Sequence, residues 1–184
     1  MRYIVTLIVI IALIVFGVAI FGGNDKTPRP IPAIPKVLPD YATTSAEVSL
    51  TTDGRINGDD VHRAIHITVS REQRNIDIIQ GYEGNVIKSQ SYANNQTAYD
   101  VFLRALAQAG FTKERKTSII DERGICPLGH RYIFELSNTG GSDMRRWSAS
   151  CNGFGTFGGR TSIIRTLFQR QITDYDKFII GVNL

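Results

Sequence analysis

A glycine-rich segment has the spacing of a phosphate-binding loop. Gly153, Gly155 and Gly158 form the pattern G-x-G-x-x-G between a predicted strand and a predicted helix, and backbone amides at the start of a helix can hold a phosphate. A dinucleotide-binding fold also requires a parallel strand–helix–strand unit with the glycines after its first strand. Here the incoming strand belongs to a predicted hairpin. The pattern therefore predicts a sharp turn into the helix, and we expect no cofactor.

Two aromatic residues and three arginines make up the predicted contact site. Phe154 and Phe157 alternate with the glycines, and exposed aromatic side chains at a loop tip are common anchors of interfaces. If both rings are exposed, we expect them to bind a partner together with Arg145, Arg146 and Arg160.

Charge is distributed unevenly along the chain. Residues 101–184 carry 12 basic and 7 acidic side chains, whereas residues 24–100 carry 8 and 10. The C-terminal half is therefore expected to face an acidic protein or an anionic component of the cell envelope, with an ordinary solvated surface as the alternative. No nucleic-acid-binding motif accompanies the arginines, so we expect no nucleic-acid partner.

The two cysteines flank a predicted hairpin. Cys126 precedes its first strand and Cys151 closes its second, and antiparallel pairing brings these two positions together. The spacing predicts a disulfide, which would close a loop of about 25 residues and contribute about 3 kcal/mol. Two unpaired thiols and a cysteine nucleophile are the alternatives, although the chain has no local signature of a thiol protease.

Neither a metal site nor a catalytic residue is predicted. His62 and His66 lie about 13 Å apart if both belong to one strand, which is too far for shared ligation, and we expect both to face solvent. The acidic pair Asp59 and Asp60 falls in a predicted turn, where carboxylates accept hydrogen bonds from loop amides. The chain contains no G-x-S-x-G or H-E-x-x-H pattern.

A periodicity of two predicts the strands that position these residues. Val48 and Leu50 indicate a first strand, and residues 61–69 place alternate apolar side chains on one face of the next. In the predicted hairpin, Phe134 is expected opposite Trp147. Further strands are predicted around residues 76–78, 86–92, 117–120, 131–136, 145–151 and 178–182.

Two helices follow groups of strands. The first is predicted over residues 95–110, with Thr97 as N-cap and Gly110 as a left-handed C-terminal residue, and the second begins at Thr161. Helices that follow groups of strands, instead of alternating with single strands, are typical of α+β folds. We therefore predict an antiparallel sheet with both helices packed on one face.

A long apolar segment precedes the predicted domain. Tyr3 to Phe21 contains 17 apolar residues out of 19, and a helix of that length spans about 28 Å, nearly the ~30 Å hydrocarbon core of a bilayer. We predict that residues 1–23 form an uncleaved signal anchor in the lipid bilayer, with cleavage as a secretory signal as the alternative. Five of the six prolines lie between residues 28 and 39, so residues 24–44 are predicted to form an extended linker and residues 45–184 a folded domain.

Length and composition exclude several functional classes. A chain of 184 residues with 42% apolar and 21% charged residues is typical of one ordinary domain, and not of a multidomain enzyme, a disulfide-dense miniprotein or a multi-span membrane protein. Because a disulfide persists in an oxidising compartment, we expect the domain outside the cytoplasm on a single-pass anchor. We predict a non-enzymatic binding module, with an envelope hydrolase or transferase and an inhibitor or assembly subunit as alternatives.

Overall fold

The computed structural model of the protein describes residues 37–139 and 141–184. The predicted membrane anchor, residues 1–23, and the predicted linker up to residue 36 lie outside the described residues. Within the described ranges, no helix combines the length and the apolar composition needed to cross a membrane.

The domain is built on one antiparallel sheet of six strands. The order across the sheet is β4-β3-β2-β1-β5-β6, and every neighbouring pair is antiparallel. The predicted α+β class and antiparallel sheet are therefore confirmed. In chain order the strands are β1 (Glu47–Asp53), β2 (Arg63–Val69), β3 (Gln73–Gln80), β4 (Asn85–Ala93), β5 (Arg131–Asn138) and β6 (Gly141–Ala149).

Helices come before, between and after the strands. They are a 3-10 helix (Leu38–Thr43), α1 (Gln96–Ala109), α2 (Thr161–Gln169) and α3 (Tyr175–Phe178). Helix α1 ends at Gly110, whose φ of +83° is the left-handed conformation predicted from the sequence. Its N-cap is Asn95, and not Thr97 as predicted, because the Asn95 side chain accepts a hydrogen bond from the amide of Ala98 at 2.9 Å.

The main core contains side chains of the sheet, α1 and α2. Leu50, Ile67 and Phe134 are direct cross-strand neighbours, so their side chains point to the same face of the sheet, and all three belong to this core. Phe102 of α1 and Phe168 of α2 join them, with their rings perpendicular and 5.2 Å apart. This packing fixes the positions of both helices.

The β5–β6 hairpin has a different register from the predicted one. Trp147 lies opposite Ile133, and not opposite Phe134, and a bulge between Leu136 and Ser137 interrupts the pairing near the turn. A shift of one residue moves a side chain to the other face of a sheet. Trp147 consequently belongs to a second, smaller core on the opposite face, together with Cys126 and Ala149.

Three segments differ from the predicted elements. Residues 117–120 are irregular and do not form a strand. The predicted strand over residues 178–182 is also wrong, because Phe178 ends helix α3 and the chain continues in a turn. Leu38 and Ala42 of the predicted linker are buried in the main core, so the folded domain begins before residue 45.

The two ends of the sheet carry different features. The 3-10 helix leads into β1 at one end, where the carbonyl oxygen of Thr43 accepts a hydrogen bond from Arg71 at 3.4 Å. At the opposite end β1 finishes at Asp53, β5 begins at Arg131 and β6 finishes at Ala149. We call this second end the Asp53 end. The turn that contains Cys126 lies beside it.

Candidate functional site

The glycine-rich segment runs along the edge of the sheet. The amide of Phe157 donates to the carbonyl of Trp147 at 2.9 Å on one side, and the amide of Gly158 donates to the carbonyl of Lys113 at 2.9 Å on the other. These amides are therefore used within the protein. A Cβ atom on Gly155 would collide with the carbonyl oxygen of Trp147, so this glycine permits the close approach of two backbones. The structure gives the G-x-G-x-x-G pattern a packing role.

The two predicted aromatic anchors have different environments. Phe157 is only 1% exposed and stacks on Phe134, with ring centroids 4.1 Å apart. Phe154 is 37% exposed. The condition for the predicted contact site, that both rings are exposed, is therefore not met, because Phe157 is a core residue.

The structure does not gather Arg145 and Arg146 into one surface. They are neighbours in β6, so their side chains point to opposite faces of the sheet. Arg145 forms ion pairs with Glu122 and, at 3.3 Å, with Glu135. Burial opposes ionisation of Glu122, but hydrogen bonds and charge from Arg145 outweigh it and lower the pKa of that carboxyl.

The other predicted arginines also have partners within the domain. Arg146 forms an ion pair with Glu114 at 3.0 Å. Arg160 donates a hydrogen bond to the carbonyl oxygen of Gln108 at 2.9 Å. Arg145, Arg146 and Arg160 therefore have internal structural roles in addition to any partner they bind.

The cysteines occupy a tight turn at the Asp53 end. Cys126 and Cys151 lie at disulfide distance, with Cα atoms 5.9 Å apart, as the sequence predicted. The amide of Gly129 donates to the carbonyl of Cys126 at 3.0 Å, which places Pro127 and Leu128 at the corner of a β-turn. Proline and glycine occupy the turn positions that favour them.

Neighbouring segments hold this turn in place on two sides. The amide of Ile56 donates to the carbonyl of Pro127 at 2.8 Å. The amide of His130 donates to the Ser150 hydroxyl at 2.9 Å. The Leu128 side chain projects from this fixed backbone and is 83% exposed.

Three neighbouring loops at this end of the sheet carry exposed apolar side chains. Ile56 lies in the β1–β2 loop, Tyr82 in the β3–β4 loop and Leu128 in the turn, and all three are exposed. We call these three residues the apolar tip. The Tyr82 hydroxyl donates to the carbonyl oxygen of Asn57 at 3.0 Å, so two of the loops are joined directly.

A buried ionic network supports the apolar tip. His62 is 2% exposed, with Nδ1 2.9 Å from the carbonyl oxygen of Arg55 and Nε2 2.8 Å from Asp53. Arg131, also 2% exposed, donates to the other Asp53 oxygen at 2.7 Å. The prediction that His62 faces solvent is therefore wrong.

Tyr82 covers this network from the solvent side. Its ring stacks on that of His62, with centroids 4.1 Å apart and planes 16° from parallel. The apolar tip therefore lies on a framework of buried hydrogen bonds, and its loops are held more firmly than their irregular backbone alone would suggest.

A row of polar side chains crosses the face of the sheet that lies opposite the main core. Thr51 Oγ1 lies 2.8 Å from His66 Nδ1, and the Ser89 hydroxyl donates to Asp77 on the neighbouring strand. Burial lowers the pKa of His66, although the charges of Asp77 and Glu135 oppose this shift. In the part of the chain that the structure describes, no cluster of three or more His, Cys, Asp or Glu residues could hold a metal ion.

Sequence reasoning identified the disulfide but missed the apolar tip. Leu128 lies between a proline and a glycine beside Cys126. This pattern is a signal for a tight turn with an apolar residue at its corner. Tyr82 and His62 gave no such signal, because only the fold brings their loops together. Searches against known protein families and against curated proteins find no match to the chain. Functional assignment accordingly depends on the geometry of this end of the domain.

Proposed function

We propose that the chain is a membrane-anchored, extracytoplasmic module that binds a protein partner through the apolar tip. Tyr3 to Phe21 would hold it in the bilayer, and the cysteine pair suits an oxidising compartment. The observation that carries the binding proposal is Leu128, an exposed leucine on a turn fixed by Cys126, Cys151 and neighbouring hydrogen bonds.

The energetics favour Leu128 as the anchor of the interface. Burying a leucine side chain contributes about 1.5–3 kcal/mol, and its present 83% exposure leaves most of that free energy for a partner. A residue on a fixed backbone loses little further entropy on binding. Ile56 and Tyr82 extend the same surface, and aromatic side chains are enriched among the residues that dominate binding.

The position of the apolar tip suits a tethered domain. The chain enters β1 at the end of the sheet that carries Thr43 and Arg71, whereas the apolar tip lies at the Asp53 end. The start of β1 and the apolar tip therefore lie at opposite ends of the sheet.

Crosslinking in intact cells tests this proposal. Cells expressing the full chain are treated with a crosslinker, and the partners of the wild type are compared with those of Leu128→Ser. The matched control is Val101→Ser, since Val101 is 62% exposed on helix α1, away from the apolar tip. We expect Leu128→Ser to lose a partner that Val101→Ser retains; identical partner sets for wild type and both variants would refute the proposal.

An envelope hydrolase or transferase is the second candidate function. It is favoured by the contact of Thr51 with His66 at 2.8 Å and by the charge of Asp77 beside that histidine, since an activated hydroxyl nucleophile needs an adjacent base. Assay of the full chain with a p-nitrophenyl ester tests it. Activity lost in Thr51→Val and retained in Thr97→Val would support it, and the absence of activity in the wild type would contradict it.

A further inference from the structure

The two edges of the sheet are protected to different degrees. The glycine-rich segment covers part of the β6 edge, where the amide of Phe157 donates to the carbonyl of Trp147 and the amide of Ala149 donates to the carbonyl of Phe154, both at 2.9 Å. At the other edge, β4 pairs only with β3. The outer side of an edge strand presents a row of N–H and C=O groups that another strand can bind.

The pairing of β4 with β3 shows which of its backbone groups are open. The amide of Asn94 donates to the carbonyl of Glu72 at 2.9 Å, so the backbone groups of Asn94 face β3. Because these groups alternate in direction along an antiparallel strand, Gln90 also faces β3, whereas Ser89 and Ser91 face away from it. Among the residues that the structure describes, the outward N–H and C=O groups of these two serines have no hydrogen-bond partner.

The side chains of β4 leave this edge accessible. Lys88 is the only charged residue of the strand, and lysine is a residue type that commonly protects open edges. Here its Nζ donates to the carbonyl oxygen of Phe178 at 2.6 Å and lies 4.3 Å from the centre of the Phe178 ring, so the charge is held against the domain. Val86 and Ile87 are half exposed. The edge therefore combines open backbone groups with exposed apolar side chains.

The sequence of β4 is complementary to a second copy of itself. Ser89 is the middle residue of this nine-residue strand, so a two-fold axis at Ser89 pairs the whole strand with its counterpart in antiparallel orientation. Lys88 of each copy then lies opposite Gln90 of the other, and no like charges meet. Val86 of each copy lies opposite Tyr92 of the other, a β-branched and aromatic pair of the kind that stabilises neighbouring strands.

We infer that the β4 edge is an interface for a second copy of this chain. Each copy adds its β4 to the sheet of the other, and the outward backbone groups of Ser89 and Ser91 form the hydrogen bonds between them. A two-fold axis of this kind is typical of homodimers, because the same surface serves both copies. The inference is independent of the protein-binding proposal, since no residue of β4 belongs to the apolar tip.

Cysteine crosslinking of the full chain in detergent tests this pairing. Residues that share hydrogen bonds in an antiparallel pair have Cα atoms about 5.5 Å apart, within the range of about 4.4–6.8 Å that a disulfide spans. Ser89→Cys, at the two-fold axis, should therefore form a covalent dimer under mild oxidation with copper phenanthroline.

The matched control is Ser91→Cys, which replaces an exposed serine on the same face of the same strand. Its two copies would be offset by four residues, or about 13 Å, which is too far for a disulfide. We expect no more covalent dimer from Ser91→Cys than from the wild type. Equal yields from the two cysteine variants, or no dimer from Ser89→Cys, would refute the pairing.

A proline variant tests the hydrogen bonds of the interface. Ser91→Pro removes an N–H that faces away from β3 and leaves the bonds to β3 in place, whereas Ser91→Ala keeps that N–H and serves as the control. In sedimentation equilibrium of the full chain, the wild type and Ser91→Ala should form a concentration-dependent dimer, and the dissociation constant of Ser91→Pro should be at least about tenfold higher.

The outcomes of the sedimentation experiment are decisive in both directions. A wild type that stays monomeric at every concentration, or equal dimerisation of Ser91→Pro and Ser91→Ala, would refute the interface. The fluorescence of Trp147 shows whether Ser91→Pro is folded, and the crosslinking of Ser89→Cys decides the question if it is not. Loss of the apolar-tip partner in Leu128→Ser would be unaffected by any of these results.

Discussion

Replacing Asp53 with asparagine should destabilise the domain more than any surface charge substitution. Asp53 accepts hydrogen bonds from Arg131 at 2.7 Å and from His62 at 2.8 Å. Both partners are almost completely buried, with side chains 3% and 2% exposed. An asparagine side chain at this position would be nearly identical in shape but neutral. The substitution would therefore leave the buried guanidinium of Arg131 without its anion and change the hydrogen bond to His62.

The expected loss follows from the burial of these partners. Removing one member of a buried ion pair costs about 3–5 kcal/mol, because the remaining charge is uncompensated. Arg131 also donates to the carbonyl oxygens of Gly54 and Ile125, and these bonds remain in the variant. We therefore expect a loss near 3 kcal/mol, which lowers Tm by about 6–12 °C for a domain of this size.

Equilibrium unfolding of the full chain in urea measures this loss. Trp147 is the only tryptophan of the chain and is buried beside the disulfide turn, so its fluorescence reports unfolding of the Asp53 end. The control is Asp121→Asn. Asp121 pairs with Arg123 on the exposed surface, and exposed ion pairs contribute little to the free energy of unfolding.

A small effect would refute the reasoning about this network. If Asp53→Asn and Asp121→Asn unfold at the same urea concentration, the buried guanidinium of Arg131 does not depend on the charge of Asp53. Asp53→Asn combined with Arg131→Met provides an internal check, since removing the orphaned arginine should recover part of the lost stability. The coupling would also be contradicted if Arg131→Met lowered the free energy of unfolding by the same amount in the Asp53→Asn background as in the wild type.

Three further predictions concern the core, the polar row and the cysteine pair. Phe157→Ala should lower the free energy of unfolding by about 3–5 kcal/mol, whereas Phe154→Ala should change it by less than about 0.5 kcal/mol; urea unfolding distinguishes them, and similar values would contradict the burial of Phe157. Because burial lowers the pKa of His66 below its usual value of 6.5, its contribution to stability is present above pH 6.5 and is lost as the pH falls through the folded-state pKa. As the pH is lowered from 7 to below the folded-state pKa of His66, the wild type should therefore lose more stability than His66→Gln. Parallel plots of the free energy of unfolding against pH would contradict this. Replacing Cys126 and Cys151 together with serine should cost about 2–5 kcal/mol, and titration of the wild type under denaturing, non-reducing conditions should find no reactive thiol.

Local sequence patterns were sufficient to predict most of the secondary structure. β1, β2 and β3 follow the alternation of apolar residues, and Gly110 marks the end of α1 through its left-handed backbone. The predicted strand at residues 178–182 failed because a short apolar run fits a helix end or a strand equally well. The predicted hairpin register is wrong by one residue at Trp147, and the bulge between Leu136 and Ser137, which changes the register along the hairpin, has no clear signal in the residue types.

The candidate site was less predictable because it depends on contacts between distant segments. The cysteine pair was predictable, since hairpin geometry brings the two positions together. The burial of His62 depends on Asp53 and Arg131, and no local pattern indicates that these side chains meet. Phe157 was misassigned for a similar reason, because its segment pairs with the edge of β6 instead of forming a free loop.

The stabilising features of the Asp53 end favour a role that needs fixed geometry. Apolar side chains of similar volume often stabilise a fold more than a buried ion network does. This domain nevertheless has such a network, formed by Asp53, His62 and Arg131, directly beneath three irregular loops. The same end has the cysteine pair and the stacked rings of Tyr82 and His62. Each feature restrains a loop that the sheet alone would leave free to move. Restraint of this kind reduces the entropy lost on binding, so its concentration around Leu128 supports a preformed binding surface there more strongly than exposure alone would.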